Sequence, residues 1–280
     1  MKKKFKKVIA TITLCAFSLG ITTPLYANDA LMMAGVSSEI LTKVSNDMTD
    51  SQKEQFLTDV EVLSTYGLLE LGEIEKISIN NENFEYVIDY GSVKETVEII
   101  SNSSKELVIN VTAGNVKDTL VVNHATGEVF LDGNKVETAK TVNPRVSDRY
   151  ITENCPYGSA SDYNRSIGIV EEENNVYFSD TMENLTLTAF NIVLGAIGGI
   201  TGSIAVGVAT FLYYVMTTEY PKSSAMSYIT YGYYHKDSAI TGYIGDYGAA
   251  VTKLLSFFYA EADYEEYICS ETNYEVWIRY

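Results

Sequence analysis

From Ile77 to Val142 the chain alternates apolar and polar positions with a period of two. Phe84, Tyr86, Ile88 and Tyr90 are separated by Glu85, Val87 and Asp89. A strand places successive side chains on opposite faces, so this pattern predicts half-buried β-structure. Further short strands are predicted at Val93–Ile100, Leu107–Val111, Thr119–Val122, Glu128–Leu131 and Lys135–Thr138. Ser101-Asn102, Gly114-Asn115, Thr126-Gly127 and Asp132-Gly133 supply the turns between them. Together these make an antiparallel meander with one apolar and one charged face. Ahead of it the period lengthens. Ser38–Val44 and Ser51–Leu69 read as helices, the second with Phe56, Val60 and Leu63 at helical spacing. Thr49-Asp50-Ser51 followed by Gln52 supplies an N-cap and a capping box.

The pattern then changes again. Asn184 to Thr218 is a run of 35 residues without Asp, Glu, Lys or Arg, closed by Glu183 and Glu219. It predicts one long helix, or a helical hairpin broken near Gly198-Gly199. Gly195, Gly199, Ser203 and Gly207 recur every fourth position, and Gly198 and Gly202 repeat the spacing. On one continuous helix such a ladder is a seam for close helix packing, in lipid or in a soluble core. In water each glycine costs roughly 1 kcal/mol of helix propensity relative to Ala.

The remainder is rich in tyrosine: 14 lie between Tyr213 and Tyr280. Strands are predicted at Asn175–Ser179, Ser227–Tyr234 and Tyr274–Tyr280. Ala249–Ala260 reads as a short amphipathic helix with Val251, Leu254, Leu255 and Phe258 on one side. Tyrosine suits a sheet surface and a wet interface equally. Thr141 to Arg145, containing Pro144, is the linker candidate. The expected class is α+β. The segments are a leader (1–27), a helical cap or propeptide (28–75), the meander (76–143), and a C-terminal α+β domain (144–280) built around 184–218.

The leader has five lysines between Lys2 and Lys7, then an apolar stretch, then Leu25-Tyr26-Ala27. This is the layout of a secretory signal peptide, with Asn28 as the expected first mature residue. Removal leaves 15 basic against 37 acidic residues, a net charge of −22. A surface of that sign repels nucleic acid and anionic lipid at long range. At 46% hydrophobic the chain is too apolar to be mostly disordered. The mature chain keeps two cysteines, Cys155 and Cys269. For a secreted protein the pair reads as one disulfide, with two free thiols as the alternative.

Catalytic signals are sparse. His124 and His235 are the only imidazoles, neither beside a nucleophile motif. Glu171-Glu172-Glu173 reads as a solvated turn ahead of a strand. No catalytic residue, metal ligand or cofactor is expected, although carboxylates paired only in space leave a secreted hydrolase open.

Three phrases stand out: TLVVNHATGEVFLDGNKVE (Thr119–Glu137), SAMSYITYGYYHKD (Ser224–Asp237) and the final YEVWIRY. With the leader and the Gly-rich segment, the layout resembles the geobacillin 26 family of large secreted proteins from Gram-positive bacteria, which includes an antibacterial protein. The resemblance implies a secreted, bacteriocin-like role and supplies no active-site residues. The leading expectation is an extracellular antibacterial protein acting on target-cell membranes through the Gly-rich helix. A binding module with a tyrosine-rich contact surface and 184–218 as buried core is the alternative. The expected partner is a target-cell membrane or a surface receptor. A protein anchored by one span would put Cys155 and Cys269 on opposite sides of the membrane, so that reading and the disulfide exclude each other.

Overall fold

The computed structural model describes residues 36, 38–80, 83–136, 149–197, 206–237 and 248–279. The fold is mixed α+β with two antiparallel sheets. The chain divides into two compact units. The first takes in the chain up to Ile100 with Asn110–Asn115, the second Ser101–Ile109 with Val116–Tyr280. The leader and the linker candidate at 141–145 lie outside the described residues.

In the first unit α1 (Ser38–Asp47) and α2 (Asp50–Thr65) precede the strands. Thr49 caps α2. Its hydroxyl oxygen accepts the Gln52 N–H at 3.3 Å, and Gln52 Oε1 accepts the Thr49 N–H at 2.9 Å. Sequence periodicity carries this helix to Leu69, but Gly67 adopts φ +70° and stops it at Tyr66. A left-handed residue ends the i→i−4 ladder, so Leu68–Leu71 forms a separate turn, α3. Strands β1 (Glu73–Asn80), β2 (Asn83–Asp89) and β3 (Lys94–Asn102) pair antiparallel. Ile77, Phe84, Tyr86, Ile88, Val97 and Ile99 form their buried side, with Phe56, Val60 and Leu63 of α2 also buried. Tyr86 donates its hydroxyl to Asp59 of α2 at 2.6 Å. Gly72 is required by close approach: a Cβ there would stand 2.6 Å from Tyr90 Cδ1 and 2.7 Å from the Asp89 carbonyl oxygen.

Strands β4 (Glu106–Ala113), β5 (Val116–Asn123), β6 (Val129–Leu131) and β7 (Asn134–Lys135) continue the first sheet, whose strand order β1 to β7 follows the chain. In the second unit Leu107, Ile109, Leu120, Val122, Val129 and Leu131 are buried. The second sheet holds β8 (Arg149–Thr152), β9 (Tyr163–Tyr177), β10 (Ala225–His235), β11 (Gly248–Tyr259) and β12 (Tyr267–Arg279), in the order β8-β12-β11-β10-β9.

Two expectations are corrected in this sheet. The helix expected over 249–260 is replaced by strand β11, Gly248–Tyr259, paired with β10 and β12. Successive residues of a strand fall on opposite faces of its sheet. Val251 and Leu255 therefore lie on one face of the sheet, Leu254 and Phe258 on the other. A helical period read from these four residues is indistinguishable from that arrangement. Glu171-Glu172-Glu173 is likewise not a turn. It lies within β9, which begins at Tyr163, and Glu173 is fully buried. The register of β9 against β10 slips four times. Each slip breaks strict alternation, which hides the strand from a period-two reading.

The uncharged run forms two helices in the described residues, α4 (Leu187–Ile197) and α5 (Val206–Glu219). Tyr213 of α5 donates its hydroxyl to the Leu185 carbonyl at 2.8 Å, and its ring lies 5.6 Å from that of Phe190. The second half of α5 thus meets the start of α4, and the two run antiparallel. Every side chain from Leu187 to Leu194 is buried, the polar Thr188 and Asn191 included, as expected for a mostly apolar helix without charge on any side.

Candidate functional site

The most developed surface of the second unit is one face of the five-stranded sheet. Tyr231 on β10 lies opposite Leu255, so Phe257, two residues on, is its diagonal neighbour on the same face. Tyr259 lies directly opposite Tyr267 of β12. The rings form a continuous series: Tyr231–Phe257 at 6.0 Å, Phe257–Tyr267 at 6.3 Å, Tyr267–Tyr259 at 5.8 Å and Tyr259–Tyr264 at 5.8 Å. Three of these contacts are edge-to-face, the arrangement that aromatic quadrupoles favour. The series is open to solvent: Tyr267 is 55% exposed and the others are partly covered. Ile169 of β9, opposite Tyr231, is 48% exposed and extends the apolar area.

The turn joining β11 to β12 aims Tyr264 at this series, at the cost of backbone strain. Asp263, Tyr264 and Glu266 have φ of +56°, +64° and +55°. Non-glycine residues in this region cost roughly 1 kcal/mol or more each. A set of bonds holds them there. Ser227 Oγ accepts the Tyr264 N–H at 3.0 Å and donates to the Glu261 carbonyl at 2.6 Å. The Ala260 N–H reaches the Glu266 carbonyl at 2.9 Å. These bonds hold a conformation that such residues otherwise adopt rarely.

Carboxylates rim the aromatic face. Burial pushes the Tyr264 phenol upward, and the negative charges of Glu172, Glu173 and Asp263 push it further. The Tyr220 hydroxyl donates to Glu266 at 3.5 Å. A cation already rests on this face, where Lys253 Nζ stands 5.5 Å from the centre of the Tyr233 ring.

At the far end of β10 lie the residues nearest to a catalytic set. His235 is buried, with its ring edge-on to Tyr163 at 5.0 Å; Tyr163 in turn meets Tyr274 at 5.1 Å. Cys155 packs beside Tyr163 and Tyr274. The thiol and the imidazole Nδ1 are each bonded to backbone on their own side. His235 Nδ1 accepts the Asp237 N–H at 3.0 Å. The Cys155 thiol donates to the Tyr157 carbonyl at 3.3 Å. No hydrogen bond joins the Cys155 thiol to the His235 ring among the described residues, and His235 Nε2 is buried without a partner. Among the described residues no cluster of His, Cys, Asp or Glu is placed to hold a metal. His124 is exposed in a turn.

Cys155 and Cys269 are both free, which corrects the expected disulfide. Cys155 sits beside Tyr274, five residues along β12 from Cys269. At ~3.4 Å per residue that is about 17 Å, and an odd separation puts the two positions on opposite faces. A disulfide needs Cα atoms within about 7 Å. Burial, then Glu271, pushes the Cys269 thiol up to about 11. Alkylation of denatured, unreduced protein followed by mass spectrometry is expected to label both residues. In native protein Cys269 should react slowly near neutral pH. A joined Cys155–Cys269 peptide would reverse the assignment.

Of the glycine ladder, Gly195 lies on α4 and Gly207 on α5. Two antiparallel helices carry these members, so they do not share a face of one helix. Gly198, Gly199, Gly202 and Ser203 lie outside the described residues. Helix α4 packs on β5 and β6. Thr186 is its N-cap: its Oγ1 accepts the Ala189 N–H at 3.2 Å and its carbonyl accepts the Phe190 N–H at 3.0 Å. Thr186 also donates its own N–H and hydroxyl to Asp118 of β5, at 2.7 and 2.6 Å. Burial raises the Asp118 carboxyl above its usual range, and the two Thr186 bonds oppose that rise. No helix among the described residues is long and apolar enough to cross a membrane.

The tyrosine abundance was visible in the sequence, but the face was not. Reading 249–260 as a helix separated Phe257 and Tyr259 from Tyr231 and Tyr267. The acidic, tyrosine-bearing stretch Glu261–Tyr267 was the available signal, and its strained turn could not be read from composition. The chain matches no protein-family model, no curated protein and no solved structure.

Proposed function

We propose that the protein is a secreted interaction protein whose contact surface is the tyrosine face of the second sheet, with 184–218 serving as core. The observation that carries this reading is the solvent-open series from Tyr231 to Tyr264, ending in a turn with three left-handed non-glycine residues. Large, rigid aromatics supply contact area at low entropic cost. The resemblance of the sequence layout to the geobacillin 26 family adds a direction: an antibacterial, bacteriocin-like protein that engages a receptor at the surface of a target cell. The acidic charge of the chain supports a specific receptor over attraction to anionic lipid.

A second reading, membrane action through the apolar hairpin, is favoured by the outer side of α5. Phe211 is 49% and Tyr214 60% exposed there. Thr217 and Thr218 turn their hydroxyls back to the Tyr213 and Tyr214 carbonyls, at 2.9 and 2.7 Å, which lowers their demand for water.

The two readings separate in a cell-binding and growth-inhibition assay on Gram-positive indicator strains. Tyr264→Ser with Tyr267→Ser is expected to abolish both binding and inhibition, and Phe211→Ser with Tyr214→Ser to leave both unchanged. The reverse result would transfer the function to the hairpin, and full activity of both variants would reject both surfaces.

A further inference from the structure

Resting on the reading of the tyrosine face as the contact surface, we propose that its partner is a cationic, arginine- or lysine-bearing segment of another protein. Three features converge on that chemistry. The rings from Tyr231 to Tyr264 offer π-faces and edges in one continuous, partly open series. A cation held over such a ring is attracted by its quadrupole, more strongly when water is excluded. Carboxylates stand at the border of the same series. Glu172 and Asp263 lie close enough to Tyr264 to hinder its ionisation, and Glu266 accepts from Tyr220. Such a border attracts a positive partner and disfavours an anionic one. The face also holds a cation of its own, Lys253 over Tyr233, so this sheet geometry accommodates an ammonium at a ring.

The geometry suits an extended segment. Tyr231 lies on β10, Phe257 and Tyr259 on β11, Tyr267 on β12 and Tyr264 in the turn, so the series crosses three strands and reaches the loop. A partner lying across it meets rings and then carboxylates. Arginine is the favoured residue, because its guanidinium plane stacks on aromatic rings and forks onto carboxylates.

The test uses the whole folded protein with an oligo-arginine peptide, and an oligoglutamine peptide of equal length as control. The arginine peptide is expected to bind, and to bind more weakly at high salt; the glutamine peptide is expected not to bind. General attraction to an acidic protein would produce the same salt dependence, so the deciding variants keep the charge and remove the rings. Tyr264→Leu with Tyr267→Leu should weaken arginine binding about tenfold, with the far-ultraviolet dichroism unchanged. Phe211→Ser, on α5 and outside the ring series, should leave binding as it was. Equal binding by the ring-less variant, or no binding by the original protein, overturns the proposal. Binding to phosphatidylcholine vesicles in place of the peptide also overturns it, in favour of a lipid headgroup. The cell-binding assay is independent of this one. Cells bound through the tyrosine face without peptide binding would end the cationic-partner proposal alone. Peptide bound by a protein that ignores cells would end the surface-receptor reading alone.

Discussion

Thr186→Val is expected to destabilise the second unit by roughly 3 kcal/mol. The substitution removes the hydroxyl that caps α4, a loss of about 1 kcal/mol. It also removes a hydrogen bond to the Asp118 carboxylate, and bonds to charged groups contribute about 1.5–3 kcal/mol. Asp118 is 2% exposed, so water does not replace the lost donor. Asp118→Leu alone should be costly too, because the Thr186 N–H and hydroxyl then lose their shared acceptor. With both changes together no charge is stranded, and the cost should fall well below the sum of the singles, by a coupling of about 1–3 kcal/mol. Denaturant unfolding followed by the fluorescence of Trp277 measures all three. Strict additivity would show that the strand and the helix start do not act as one latch.

Stability of the first unit is expected to fall by roughly 2–3 kcal/mol as pH rises from about 4 to about 7, through Asp59. This carboxyl is 1% exposed. Burial raises it from 3.8 to about 6, against the opposing bonds from Tyr86 and Gln55. At 1.36 kcal/mol for each pH unit of difference, the shift corresponds to roughly 3 kcal/mol. The folded state holds this proton more tightly than the unfolded chain. The stabilisation is therefore complete below about pH 4 and is lost as pH rises through about 6. Other groups act in the opposite sense at lower pH. Asp89 is held below its usual range by the Gly91 N–H and Lys94, and it loses that stabilisation on acidification. The comparison that isolates Asp59 is with Asp59→Asn, a near-isostere that can still accept from Tyr86 and carries no charge. The difference between the two proteins should grow with pH from about 4 to 7. A difference that stays flat would mean the carboxyl is ionised throughout, or solvated in spite of its burial.

Much of the first unit is legible in the sequence. Phe84, Tyr86 and Ile88 alternate in sequence and are buried together on β2. The Thr49–Gln52 capping box forms as written. Both signals are local, set by the pleat of a strand and the unsatisfied amides of a helix start, so neighbouring residues suffice to read them. The end of α2 was misread because Gly67 is tolerated within a helix and favoured as its terminator, and only the chain path distinguishes the two.

In the second unit the local signals compete. The sequence by itself determined that most apolar residues of 184–218 would be covered or placed in lipid, since so long an apolar run without a formal charge is unfavourable in water. It also determined that the C-terminal part would be rich in rings. Tertiary structure decided the rest. Pairing with β10 and β12 made 248–259 a strand, because two flanking ladders satisfy its backbone hydrogen bonds. Register along β12 placed Cys155 and Cys269 too far apart to join. Registration of three strands and one strained turn brought Tyr231, Phe257, Tyr259, Tyr264 and Tyr267 into a single series. These outcomes depend on which residues stand opposite one another across strands separated by tens of residues. Nothing in a local period carries that information.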